Sequence, residues 1–159
     1  DLTLPEFARL VDAFYLGGTK NGTLFGEALV ITRPELTHDF FRMKKRMGAV
    51  MEKGWLQGVQ FEAILKDNLY FDMARHANVL AGRLQEGVKA LGLPLMTESC
   101  TNQIFPIVKN ELRPRLEQVC AFEDWCPFDA EHTVIRFVTC FHTTQEDVDA
   151  LLSELKKLL

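Results

Sequence analysis

The segment FYLGGTKNGTLFGEALVI, residues 14–31, sets two apolar runs on either side of a glycine-rich turn that holds one lysine, Lys20. The first run, Ala13-Phe14-Tyr15-Leu16, stops at Gly17-Gly18; the second is expected from Thr23 to Thr32, closed by Arg33-Pro34. Continuous apolar runs of this kind predict strands covered on both faces. Asn21-Gly22 between them is the strongest short hairpin signal, and on that reading Lys20 is a solvated tip. A second reading fits the same residues. An amine becomes a nucleophile when burial or neighbouring positive charge lowers its pKa, as in Schiff-base lysines, and flanking glycines let the backbone approach a bulky ligand. The turn is no phosphate-binding P-loop, because the order GxxxxGK[ST] is absent.

Outward from this segment the chain reads as mixed α/β. Upstream, Pro5 opens a short helix whose face carries Phe7, Leu10 and Val11. Downstream, residues 35–53 are helical and basic, and Lys44-Lys45-Arg46 suits a solvated face or an anion contact. Gly54 and Gly58 flank Trp55-Leu56-Gln57 as a loop. Then Phe61, Leu65, Leu69, Met73, Ala77, Leu80, Leu84, Val88 and Leu91 recur at spacings of three and four. If unbroken over 59–91, that helix would be ~50 Å long, a connector between lobes. From Leu93 a small α+β lobe is expected. Its elements are a strand over 103–109 that Pro106 confines to an edge or bulge, a helix over 112–121, a strand over 133–139, and a last helix. The last helix carries a stripe of Val148, Leu151, Leu152, Leu155, Leu158 and Leu159, with Thr143 and Glu146 as a capping box.

Arg136 shares a strand face with Val134 and Val138 by the two-residue period. Its planar fork matches a bound carboxylate, and an edge-strand arginine that discourages aggregation fits equally. His38, His76, His132 and His142 show no ligand spacing, and Asn102-Gln103 suits either a turn or a polar ligand.

The 159 residues allow one domain or parts of two. A net charge of −4 and a pI near 5.6 lack the basic footprint that phosphate backbones select, so nucleic acid is not expected as a partner. No apolar run reaches the ~18 residues of a membrane span. Cys100, Cys120, Cys126 and Cys140 form no CxxC pair, so neither zinc nor another metal is expected, and reduced thiols in the cytoplasm are.

Taken together, the segments resemble a known family. FYLGGTKNGTLFGEALVI looks like the lysine segment of the pyridoxal-phosphate lyases of the threonine aldolase and β-eliminating lyase group, in particular the low-specificity threonine aldolase-like branch. KGWLQGVQFEAIL (53–65), TNQIFPIV (101–108) and HTVIRFVTCFHTTQEDVDALL (132–152) resemble later blocks of the same family in the same order. The resemblance implies the aspartate-aminotransferase-like fold, called fold type I. Residues 1–58 would then end the large cofactor domain, 59–92 form the connecting helix, and 93–159 the small C-terminal domain.

It further implies pyridoxal 5′-phosphate as cofactor, joined to Lys20, and Arg136 as the residue that grips the substrate α-carboxylate. Thr19, Lys45 and Arg46 would contact the cofactor phosphate, the last two from a neighbouring subunit of a homodimer or homotetramer with shared sites. The activity implied is retro-aldol cleavage of a threonine-like β-hydroxy amino acid to glycine and an aldehyde. β-Elimination or racemisation on the same cofactor is the alternative, and for these residues alone a non-catalytic structural or dimerisation role. In the family the phosphate loop, the ring-stacking aromatic and the pyridinium aspartate precede the lysine by a long stretch. Only 19 residues precede Lys20, so the chain is expected to be the C-terminal half of such an enzyme.

Overall fold

The computed structural model describes residues 2–159. They divide into two compact units, the first ending at Tyr70 and the second spanning Phe71–Leu159.

The first unit opens with helix α1, Leu4–Ala8, whose capping box joins Thr3 to Glu6, with Pro5 in its first turn. Strands β1, Ala13–Gly17, and β2, Glu27–Ile31, pair antiparallel with Tyr15 opposite Leu29 and Leu16 opposite Ala28. The expected hairpin therefore forms, but its loop runs from Gly18 to Gly26. The strands are not covered on both faces within the described residues: Tyr15 and Leu29 are exposed while Leu16 is buried. The basic stretch yields a short 3₁₀ turn, Pro34–Thr37, and helix α2, Phe40–Arg46, which ends before Gly48 at φ +72°. The loop expected at Trp55-Leu56-Gln57 is instead the first turn of α3, Trp55–Leu65, which buries Phe61 and Ile64.

The periodic stretch expected as one helix over 59–92 is two. A 3₁₀ turn at Lys66–Asn68 intervenes, with Asp67 at φ +52° and Asn68 at φ +62°, before α4, Leu69–Ala90. Asp and Asn tolerate the left-handed region better than other side chains. That is why a periodic apolar stripe, which fixes a face but not continuity, runs across the break.

The second unit packs helices on a small antiparallel sheet. Its central strand is β6, His132–Val138. On one side lie β3, Gln103–Ile104, and β4, Ile107–Lys109; on the other lies β5, Glu123–Pro127, which went unrecognised in the sequence. Pro106, which has no N–H to give, separates β3 from β4, and its carbonyl accepts from Ile135 N at 2.9 Å. Only one helical turn, α5, Arg113–Leu116, fills the stretch expected as a helix over 112–121. Leu80, Leu84 and Val88 of α4 meet Ile104, Val108, Ile135 and Phe137 of the sheet, and Val148 and Leu155 of helix α6, Gln145–Leu158, close the core. Arg83 of α4 holds the Asp149 carboxylate of α6 at 2.7 and 3.1 Å.

The α6 capping box sits one residue later than expected. Thr144 Oγ1 accepts from Asp147 N at 3.1 Å, and the Asp147 carboxylate accepts from Thr144 N at 2.8 Å. Thr143 Oγ1 accepts from Cys140 N instead. The Thr144 N–H holds the Asp147 carboxyl below its ordinary 3.8. A folded value below the unfolded one makes this contribution complete above pH 3.8 and lost as pH falls through the folded value. Thr144→Ala should lower stability at neutral pH by about 1 kcal/mol. Urea unfolding measures this, and an unchanged midpoint would show that the cap contributes nothing.

Candidate active site

Lys20 lies in the loop between β1 and β2, and the structure fixes several residues around it while leaving its amine without a partner among the described residues. Asn21 N and Thr23 N both donate to Gly18 O, at 3.0 and 3.1 Å, curling the loop on itself. Buried Asn21 donates from Nδ2 to the Tyr70 carbonyl at 3.2 Å, and the Tyr70 hydroxyl donates to Gly17 O at 2.9 Å. Burial pushes the Tyr70 phenol above its ordinary value, so it stays a donor at neutral pH. On the far side of the loop, Gln60 Oε1 accepts from Leu24 N at 2.7 Å, and Gln60 Nε2 donates to Phe25 O at 3.2 Å. Gly22 turns the chain at φ +87°, where other residues are strained. Lys20 itself is exposed, with no hydrogen bond or ion pair among the described residues. The hydroxyl of Thr23 is buried and lacks a partner among the described residues.

Thr19 is exposed beside Lys20 in the same turn. Lys45 and Arg46 are exposed in the last turn of α2, and neither forms an ion pair among the described residues. These four residues belong to the first unit; Arg136 belongs to the second.

Arg136 stands on β6 with its side chain 22% exposed. Its Nη1 donates to Gln103 Oε1 at 3.1 Å, its Nη2 donates to the Glu123 carboxylate, and its Cζ lies 5.0 Å from the centre of the Trp125 ring. Arg136 Nε is buried without a partner among the described residues. Glu123 and Trp125 were missed in the sequence because β5 was. The alternation of Phe122, Asp124 and Cys126 with Glu123 and Trp125 was the available signal, masked by a stretch as polar as a loop. Gln103 follows Asn102, whose Nδ2 donates to Thr139 O at 2.8 Å and belongs to the frame of the sheet.

Cys100, Cys120 and Cys126 are free thiols. His76 Nε2 lies 2.7 Å from Thr143 O, and His132 Nδ1 lies 2.9 Å from Asp129 Oδ1. Among the described residues no cluster of metal-ligating side chains occurs, and no helix is long and apolar enough to cross a membrane.

A low-specificity L-threonine aldolase of Pseudomonas aeruginosa is 33% identical over 96 residues, which are 60% of this chain and 28% of that protein. The solved structure of a Leishmania major threonine aldolase superposes on 99% of this chain with a TM-score of 0.89 and 38% identity. The chain has threonine aldolases as its homologues. It spans less than half the length of these relatives, 46% of the Leishmania chain. No family model matches it. A Sphingomonas wittichii serine palmitoyltransferase, at 18% identity, shares the fold over 93% of the chain with a TM-score of 0.67. The fold is thus part of fold type I, as the resemblance implied.

Proposed function

We propose that this chain is the lysine- and arginine-bearing part of a lyase that uses pyridoxal 5′-phosphate to cleave a threonine-like β-hydroxy amino acid to glycine and an aldehyde. The observation that carries the reading is the Lys20 amine, without a partner among the described residues, in a loop held at Asn21, Leu24 and Phe25. Homology to threonine aldolases supports it. The residues fit the group: an exposed amine reaches an aldehyde, and an orphaned Arg136 Nε has an N–H to offer a carboxylate.

Lys20 would hold the cofactor, and Thr19, Lys45 and Arg46 would contact its phosphate, the last two from a neighbouring subunit of a homodimer or homotetramer. When bound, pyridoxal phosphate supplies the electron sink for the bond broken beside Cα. Arg136 orients the substrate by its α-carboxylate, which fixes rotation about Cα and so selects the bond that breaks. The Tyr70 and Gln60 contacts keep the lysine backbone from drifting. In this reading residues 1–58 complete a large cofactor domain, 59–92 connect, and 93–159 form the small domain.

The test is reduction of the cofactor-loaded protein with borohydride, followed by peptide mass mapping. The label is expected on Lys20. Label on any other lysine removes the assignment, and product analysis with several amino acids separates retro-aldol cleavage from β-elimination and racemisation.

A further inference from the structure

Strand β5 carries its bulge beside Arg136. Glu123 pairs with Arg136, Asp124 with Ile135 and Cys126 with Val134, which leaves Trp125 as the extra residue. A bulge kinks the strand and re-aims a side chain. Here the indole comes to rest against the guanidinium. Phe105 packs against the indole in turn, ring centres 5.2 Å apart at 58°. Stacking from one face and the Gln103 bond to Nη1 hold the guanidinium plane.

One edge of the fork remains, the Nε–Nη2 pair. A carboxylate takes such an edge with both oxygens on two parallel N–H groups. Glu123 takes only Nη2, and Nε is left buried without a partner. Glu123 therefore half-fills a two-donor site, and its side chain is 66% exposed, free to leave toward water. We propose that Glu123 is a resident carboxylate that holds Arg136 Nη2 until the substrate α-carboxylate takes the whole Nε–Nη2 edge and displaces it. This rests on the reading of Arg136 as the carboxylate-binding residue. Glu123 keeps the fork neutralised and aligned between turnovers, and it weakens the hold on every carboxylate ligand by the cost of displacement.

Isothermal titration of the cofactor-loaded protein with glycine tests this. Glu123→Gln keeps the shape and removes the charge, so glycine should bind about fivefold more tightly, the scale of a partly exposed ion pair. The same factor should fall on KM for the amino acid. Glycinamide, which lacks the carboxylate, should bind both forms alike. In a Trp55→Phe background, glycine should change the emission of Trp125, the remaining indole of these 159 residues, and Trp125→Phe should remove that change. Equal or weaker glycine binding by Glu123→Gln overturns the proposal while leaving Arg136 in its role, as does an equal gain for glycinamide. Unchanged glycine binding by Arg136→Lys instead overturns the reading of Arg136, and the proposal with it.

Discussion

Lys20→Ala should abolish turnover, by roughly 10³-fold or more, the scale on which enzymes lose rate when a positioned reacting group is deleted. The fold should not notice. Lys20 is exposed and has no partner among the described residues, and substitutions at such positions usually fall within ±0.5 kcal/mol. Thermal midpoint and kcat measured on one preparation would then separate chemistry from stability. The yellow colour of an aldehyde bound to lysine should vanish as well. Lys20→Arg distinguishes charge from nucleophilicity: it keeps the cation but has no amine to condense with an aldehyde, so it should be as inactive as the alanine variant. Full activity in either variant would remove Lys20 from the mechanism.

Gly18→Ala should be nearly as damaging, although it touches no reacting atom. A Cβ at Gly18 would stand 2.6 Å from Thr23 Cγ2 and 2.8 Å from Thr23 Cβ, with Thr23 Oγ1 nearer still. Rotating the threonine does not clear the clash, because its Cβ is fixed by the backbone. The loop must open between Gly18 and Thr23, which disrupts the bonds from Asn21 N and Thr23 N to Gly18 O and shifts Lys20. Displacement of a catalytic group by about 1 Å costs on the order of 10²-fold in rate. Thr23→Gly removes the obstacle, so the double variant should recover part of the activity. A Gly18→Ala enzyme with unchanged kcat would show that the loop need not be closed for reaction. The neighbouring Gly17 makes a control, since its added Cβ would meet only Glu27 Oε1, at 3.9 Å.

Much of this was legible in the sequence. The apolar runs around Lys20 gave two strands and a turn, and residues 133–139 gave the strand that the fold makes central, because a two-residue period states which side chains share a face. The last helix was readable from its stripe, although its cap moved by one residue: Thr143 and Thr144 are both good caps, and the choice depended on Cys140 N taking Thr143. The four family blocks carried the fold and the candidate residues further than periodicity did.

Other features lay beyond local pattern. The break at Asp67-Asn68 leaves the apolar period intact, so only the backbone torsions reveal it. The turn at Trp55 proved helical because Phe61 and Ile64, further along, supply a buried face that the two glycines do not cancel. Strand β5 exists because β6 offers it an edge. The sequence by itself singled out Lys20 and Arg136 as candidates, since an amine in a glycine turn and a guanidinium in an apolar strand are local facts. Tertiary structure decided their surroundings: what pins the Lys20 loop lies about 35 to 53 positions away, in Gln60 and Tyr70. What holds Arg136 lies on two other strands. Hydrogen bonds and stacking act through space at a few ångströms, and a linear pattern carries no record of which distant segments the fold will bring that close.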